Sequence, residues 1–214
     1  MSGDYERRQG ITNMPISTLP YHKSPRPLHV RLGLLRWFIE LLIRILGKCH
    51  KWRDGVLSDN QKKGYEKAEQ KVKDAIFADT GIRVRQPSSR GGTTETGGTA
   101  LRIFSKELIP TFERLLESHR VANAGNFMRI HKNLSIILRV IMLTDVVDTE
   151  KLEEICTSTY VEILETWKWV NISESAHDLL GHCFKLMDAN GGKGLGNWSE
   201  QGAEGKWVRI LLKC

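Results

Sequence analysis

LHVRLGLLRWFIELLIRIL, residues 28–46, is the most apolar run of this 214-residue chain, and its reading decides the fold. Arg31, Arg36, Glu40 and Arg44 interrupt it. The last three recur every four residues, so on a helix they form one polar stripe along an otherwise apolar cylinder. Each charge at mid-span would cost a few kcal/mol in a bilayer, which argues against a membrane span. A helix lying in a membrane interface is the remaining lipid alternative. The stripe favours a helix buried in a protein core with one wet edge.

Outward from that helix, residues 1–27 read as an extended segment punctuated by Pro15, Pro20, Pro25 and Pro27. Downstream, Ser58 is placed to cap a second helix, in which Tyr65, Ala68, Val72, Ala75 and Ile76 keep helical spacing. Its other face mixes Lys62, Lys63, Lys67, Lys71 and Lys73 with Glu66, Glu69 and Asp74, the pattern of a solvated surface. Residues 82–99, IRVRQPSSRGGTTETGGT, form a polar, glycine-rich loop. Helical spacing resumes at Leu101, Phe104 and Leu108, bends or restarts at Pro110, and continues through Phe112 and Leu115. Further helices are expected over about 126–143, 148–169, 173–187 and 198–212. Alternating β-branched runs are almost absent, so the chain reads as all-α, with six or seven helices and no internal repeat.

The formal charge is +7 and the pI about 9.3, a balance that suits an acidic partner, nucleic acid or an anionic membrane surface. Cys49, Cys156, Cys183 and Cys214 are scattered without a CxxC, which fits a reducing compartment better than a disulfide framework. No secretory leader is legible in the polar stretch Met1–Gly10.

Three features bear on chemistry. The loop carries Arg83, Arg85 and Arg90 and leads into a helix holding Arg102, so it can offer cations and backbone N–H groups to phosphates. It lacks the Lys-Ser/Thr pair of a P-loop, and GGKGLG at 191–196 follows a helix instead of a strand. His177 and His182 have an H-x4-H spacing found among zinc ligands. A regular helix sets them about 140° apart, at about 100° per residue, so a backbone turn at Gly181 is the expected means of bringing both rings to one ion. Glu200 and Glu204 stand one helical turn apart after Trp198; acids there serve a helix dipole as readily as catalysis.

The order of these features resembles the catalytic core of the V(D)J recombination-activating protein family and the related Transib-type transposases. H-x4-H, a bend and Trp-Ser-Glu-x-x-x-Glu resemble its C-terminal part. TGGTALRIFSKE, residues 96–107, is similar to its DNA-contacting motif, and PISTLPYHKSPRPLHVRLG, residues 15–33, to the segment entering the first helix of that region. The likeness spans roughly residues 12–210. It implies an RNase H-like recombinase in which three acids hold two magnesium or manganese ions, with the third acid after a long all-α insertion. Carried over, Glu204 matches that acid, Trp198 an aromatic before it, His177 and His182 two of four zinc ligands, and Arg102 the DNA-contacting arginine; the expected DNA-binding residues are Arg83, Arg85, Arg90, Arg102 and Trp198.

The two remaining acids and the CxxC lie, in the family, upstream of anything present here. The resemblance therefore implies a fragment: an all-α piece of the insertion region without the RNase H sheet. Its expected divisions are an N-terminal segment at 1–27, a helical DNA-contacting region at 28–170, and a zinc-histidine and catalytic-Glu region at 171–214. The expected partner is double-stranded DNA. The likeness adds a second recombinase subunit, a homodimer and nuclear location, and no membrane. Two-metal chemistry needs several carboxylates to fix ions about 3.5–4 Å apart, and one Glu does not supply them. The rival readings are a non-enzymatic helical DNA-binding or interaction protein and a membrane-associated helical protein.

Overall fold

The computed structural model describes residues 27–50, 57–84 and 97–195. These residues form seven α-helices and no strand, an all-α fold. The expected extended segment at 1–27 lies outside them except for Pro27, and the helix expected at 198–212 lies wholly outside.

Helix α1 (Pro27–Leu46) is the central element, packed against α2 (Asp59–Thr80), α3 (Gly97–Ile103) and α7 (Glu174–Ala189). Its polar edge is the one read from the sequence: Arg36 is exposed, and Glu40 and Arg44 are half-buried. Glu40 accepts from the Arg44 Nε at 2.6 Å and from the Tyr65 hydroxyl of α2. The other sides hold Leu34, Phe38, Leu41 and Leu42, all fully buried. Fully burying one such side chain is worth about 1.5–3 kcal/mol, so α1 anchors the core. Phe38 stacks among Phe104, Phe112, Phe127 and His131, with ring centroids 4.9–5.9 Å away. No described helix is long and apolar enough to cross a membrane.

Local chemistry sets the boundaries. Ser58 and Gln61 form a reciprocal capping box at the start of α2, and Gly81 ends it at φ 68°, a left-handed conformation that glycine adopts without strain. Ser105 caps a single 3-10 turn (Lys106–Leu108), after which α4 (Ile109–Ser118) restarts with Pro110 in its first turn, where the missing N–H costs nothing. Helices α5 (Ala124–Ile141) and α6 (Thr149–Thr166) pair along their length, tied by Arg129–Glu162, Asn126–Thr166 and Asn133–Thr159. The face of α6 turned to solvent is acidic, with Glu150, Glu153, Glu154 and Glu165 exposed. Helix α7, capped by Ser173, inserts between α1 and α6.

Close backbone approach matters at Gly33, where a Cβ would meet the Ser175 Oγ of α7 at 1.9 Å. Residue Trp37, one turn on, donates its indole N–H to the Asn171 carbonyl at 2.8 Å. These two contacts fix the register of α1 against α7.

Candidate functional site

The glycine-rich loop is framed by the C-terminal end of α2 and by α3. A helix end leaves carbonyls unpaired and carries partial negative charge, so it attracts cations. Arg102 of α3 donates from Nη2 to the Thr80 carbonyl at 3.0 Å, which ties the residues after the loop to those before it. Arg83 lies three residues beyond Thr80, exposed, with its guanidinium 5.2 Å from the centroid of the Phe77 ring. The structure thus brings Arg83 and Arg102 to one end of α2. Arg85 and Arg90 lie outside the described residues.

Sequence reasoning missed two members of this end. Phe77 falls off the Ala68–Val72–Ile76 stripe and is 45% exposed, a large apolar ring presented to solvent beside an arginine. Arg114 of α4 reaches the Asp79 carboxylate at 2.6 Å. Thr111 also donates to Asp79, and these partners, the hydroxyl first, hold its carboxyl below the ordinary carboxylate range. Of the three exposed arginines at this end, Arg114 pairs with Asp79, Arg102 with the Thr80 carbonyl, and Arg83 lies over the Phe77 ring. The signal for Phe77 was legible as a ring off the helical stripe; that for Arg114 was not, because it depends on how α4 crosses α2.

Elsewhere the described residues hold 21 of the 32 lysines and arginines and 19 of the 25 acids, a net +2. Most of the chain's +7 belongs to its connecting and terminal segments. The basic character expected of the helical body is correspondingly slight, and the acidic face of α6 is unsuited to phosphate.

The histidine pair lies on α7. His177 and His182 meet at 3.0 Å between Nε2 atoms, with rings perpendicular and centroids 4.7 Å apart. The expected turn at Gly181 does not occur; α7 runs unbroken from Glu174 to Ala189. The His177 ring instead lies across Gly181, within 3.5 Å of where a Cβ would stand, and reaches the following residue. Burial pushes both imidazoles below their ordinary pKa, so a neutral ring donates Nε2–H to the bare Nε2 of the other.

As metal ligands the pair is half fitted. Two nitrogens on one tetrahedral zinc stand roughly 3.3 Å apart, close to the observed spacing. No group of three or more metal-ligating side chains occurs among the described residues. Both Nδ1 atoms are buried without a hydrogen-bond partner among the described residues, so none of these supplies the outer contacts that orient zinc-bound histidines. Two ligands without completion bind zinc weakly. Cys183 does not join them: its thiol turns to Cys156 of α6 at 3.8 Å. Trp198, Glu200 and Glu204 lie outside the described residues.

No protein-family model matches the chain, and no curated protein matches it.

Proposed function

We propose that this chain is a DNA-binding helical module of the V(D)J recombination-activating and Transib-type transposase kind, lacking a complete catalytic centre. The observation that carries the reading is the gathering of Arg83 and Arg102 at one end of α2, on either side of a loop that adds Arg85 and Arg90. Arginine binds phosphate oxygens bidentately and remains charged at any physiological pH. Such contacts position a protein on a duplex without reading bases, so the expected binding is salt-sensitive and indifferent to sequence. Arg102 already gives one donor to Thr80; its remaining donors, and those of Arg83, are on an exposed surface. Phe77 supplies an apolar platform against which a sugar or base can rest.

The ordered motifs support the recombinase kinship, and with it nuclear location, a second recombinase subunit and self-association. They also give Glu204 its role as the third carboxylate of a magnesium or manganese site. Hydrolysis and strand transfer need two ions, one at the attacking and one at the leaving oxygen. A lone carboxylate holds magnesium poorly, because that ion dehydrates reluctantly and is otherwise bound with help from substrate phosphates. The chain by itself therefore binds DNA and does not cut it.

The test is to incubate the purified chain with a transposon-end or recombination-signal duplex in magnesium and in manganese, beside Glu204→Gln. A shifted duplex with no nicked or joined product from either protein is expected. Cleavage by the wild type that vanishes in Glu204→Gln would make this a compact enzyme. Absence of any duplex binding at low salt would remove the DNA reading altogether.

A further inference from the structure

Arg31 is the one charge of α1 that does not join its wet edge. It lies five residues before Arg36, about 140° round the helix at about 100° per residue, and is 2% exposed. Its Nε and Nη2 atoms are buried and have no hydrogen-bond partner among the described residues. The only acid of α1 is Glu40, held by Arg44 and Tyr65. Burial depresses the Arg31 pKa, with no carboxylate acting against it among the described residues. A guanidinium nevertheless stays protonated in proteins. A buried charge without a partner is strongly unfavourable.

The two unpartnered atoms are not scattered. Nε–H and Nη2–H share one edge of the guanidinium plane and point the same way, the fork that meets two oxygens of a single carboxylate or phosphate. Helical side chains lean back towards the N-terminus, which for Arg31 is the direction of the first turn of α1. That turn begins at Pro27, contains no acid, and belongs to a helix of 20 residues. Its N–H groups and positive dipole end favour an anion. We infer that the Arg31 edge and the first turn of α1 form a binding site for a phosphate-type oxyanion. The site is separate from the arginine-framed loop and does not depend on the DNA reading. Its oxyanion is either free phosphate or a phosphate of a nucleic-acid backbone; a monatomic anion such as chloride offers one acceptor where the fork fits two, and should bind more weakly.

The experiment is thermal unfolding of the full chain with inorganic phosphate titrated against sodium chloride at constant ionic strength. The wild type should gain about 5 °C or more once phosphate stands about 100-fold above its Kd. Arg31→Met should be at least as stable as the wild type without phosphate, since it removes an unpaired charge while keeping the stem, and should not respond to phosphate. Arg31→Lys keeps the charge without the fork and should bind phosphate at least tenfold more weakly. A second arm replaces phosphate by a short duplex. Arg31-dependent stabilisation by duplex, competed by phosphate, assigns the site to a backbone phosphate; stabilisation by phosphate alone assigns it to the free ion. Phosphate acting no better than chloride, or equally on Arg31→Met, would overturn the site. So would marked destabilisation of Arg31→Met in phosphate-free buffer, which would show that a carboxylate of the chain already satisfies Arg31.

Discussion

Helix α7 and the C-terminal end of α2 each carry residues that the sequence marks for chemistry, and they treat charge in opposite ways. On α7, burial lowers the pKa of His177 and His182 and raises the carboxyl of Asp178 to about 6, helped by Glu174. A helix wedged between α1 and α6 disfavours charge of either sign. At the α2 end, Arg83, Arg102 and Arg114 are exposed, and Asp79, paired with Arg114, is more readily ionised than usual. The histidine pair is thus packed away from solvent, whereas the arginines keep their charge at the surface. The difference follows from solvation: a charge at the surface keeps its water until a partner arrives, and one inside the bundle does not.

The contrast can be broken most severely by disturbing the packing of α7. Gly33→Ala sets a Cβ into Ser175 and should cost about 1–3 kcal/mol, with recovery in the Gly33→Ala, Ser175→Gly double variant. Arg83→Ala, by comparison, should lie within about 0.5 kcal/mol of the wild type. Urea unfolding of the four proteins separates the two regions. An equal loss in Arg83→Ala would show that the α2 end is also a packing element.

Acid sharpens the same division. His131, His177 and His182 have folded pKa values below the ordinary imidazole value of 6.5, so the unfolded chain binds more protons beneath that pH. Their contribution is whole above pH 6.5 and is lost as pH falls below it. Asp178 has the reverse sign: its folded pKa near 6 exceeds the ordinary 3.8, so it favours folding below 3.8, and that help is lost as pH rises through 6. Asp178→Asn should therefore steepen the loss of stability between pH 6 and 4. His131→Gln, which keeps a donor for the Ile103 carbonyl, should flatten it. Replacing Arg83 and Arg102 should leave the profile unchanged. Stability measured by urea titration across that range checks all three.

Smaller effects concern the histidine pair itself. Gly181→Ala should stabilise by about 0.5–1 kcal/mol, because the added methyl makes ordinary contact with the His177 ring and the helix interior loses its glycine. A destabilised variant would mean that α7 turns at Gly181 after all. Elemental analysis of protein purified without chelator should find well under one zinc per chain; one zinc that disappears in His177→Ala would show that other residues complete the set.

Much of the fold was legible because it depends on local rules. The Arg36–Glu40–Arg44 stripe placed the wet edge of α1, Ser58 marked the start of α2, and Pro110 marked the restart at α4. The same 100° rule put Arg31 off that stripe, although its lack of a partner needed the packed structure. The candidate sites were legible only as residue types. Helical geometry alone set His177 and His182 apart, and a ring laid over Gly181 brought them together. Cys156 and Cys183, 27 residues apart, meet only because α6 and α7 pack along their length. Arg114 joined the α2 end for the same kind of reason. Arg85, Arg90, Trp198 and Glu204 lie outside the described residues; the roles proposed for the two arginines rest on loop composition, and those for Trp198 and Glu204 on motif order.

The central claim is that DNA meets this chain at the arginine-framed loop and not across its near-neutral helical body. The direct test is the salt dependence of duplex binding for the wild type, for Arg83, Arg85, Arg90 and Arg102 replaced together by Ala, and for a control in which Lys63, Lys67, Lys132 and Arg139 are replaced. Each phosphate contact contributes about −0.9 to the slope of log K against log salt, so the loop variant should lose up to about 3.6 of slope and the control almost none. Equal losses in both variants, or a loss confined to the control, would contradict the account.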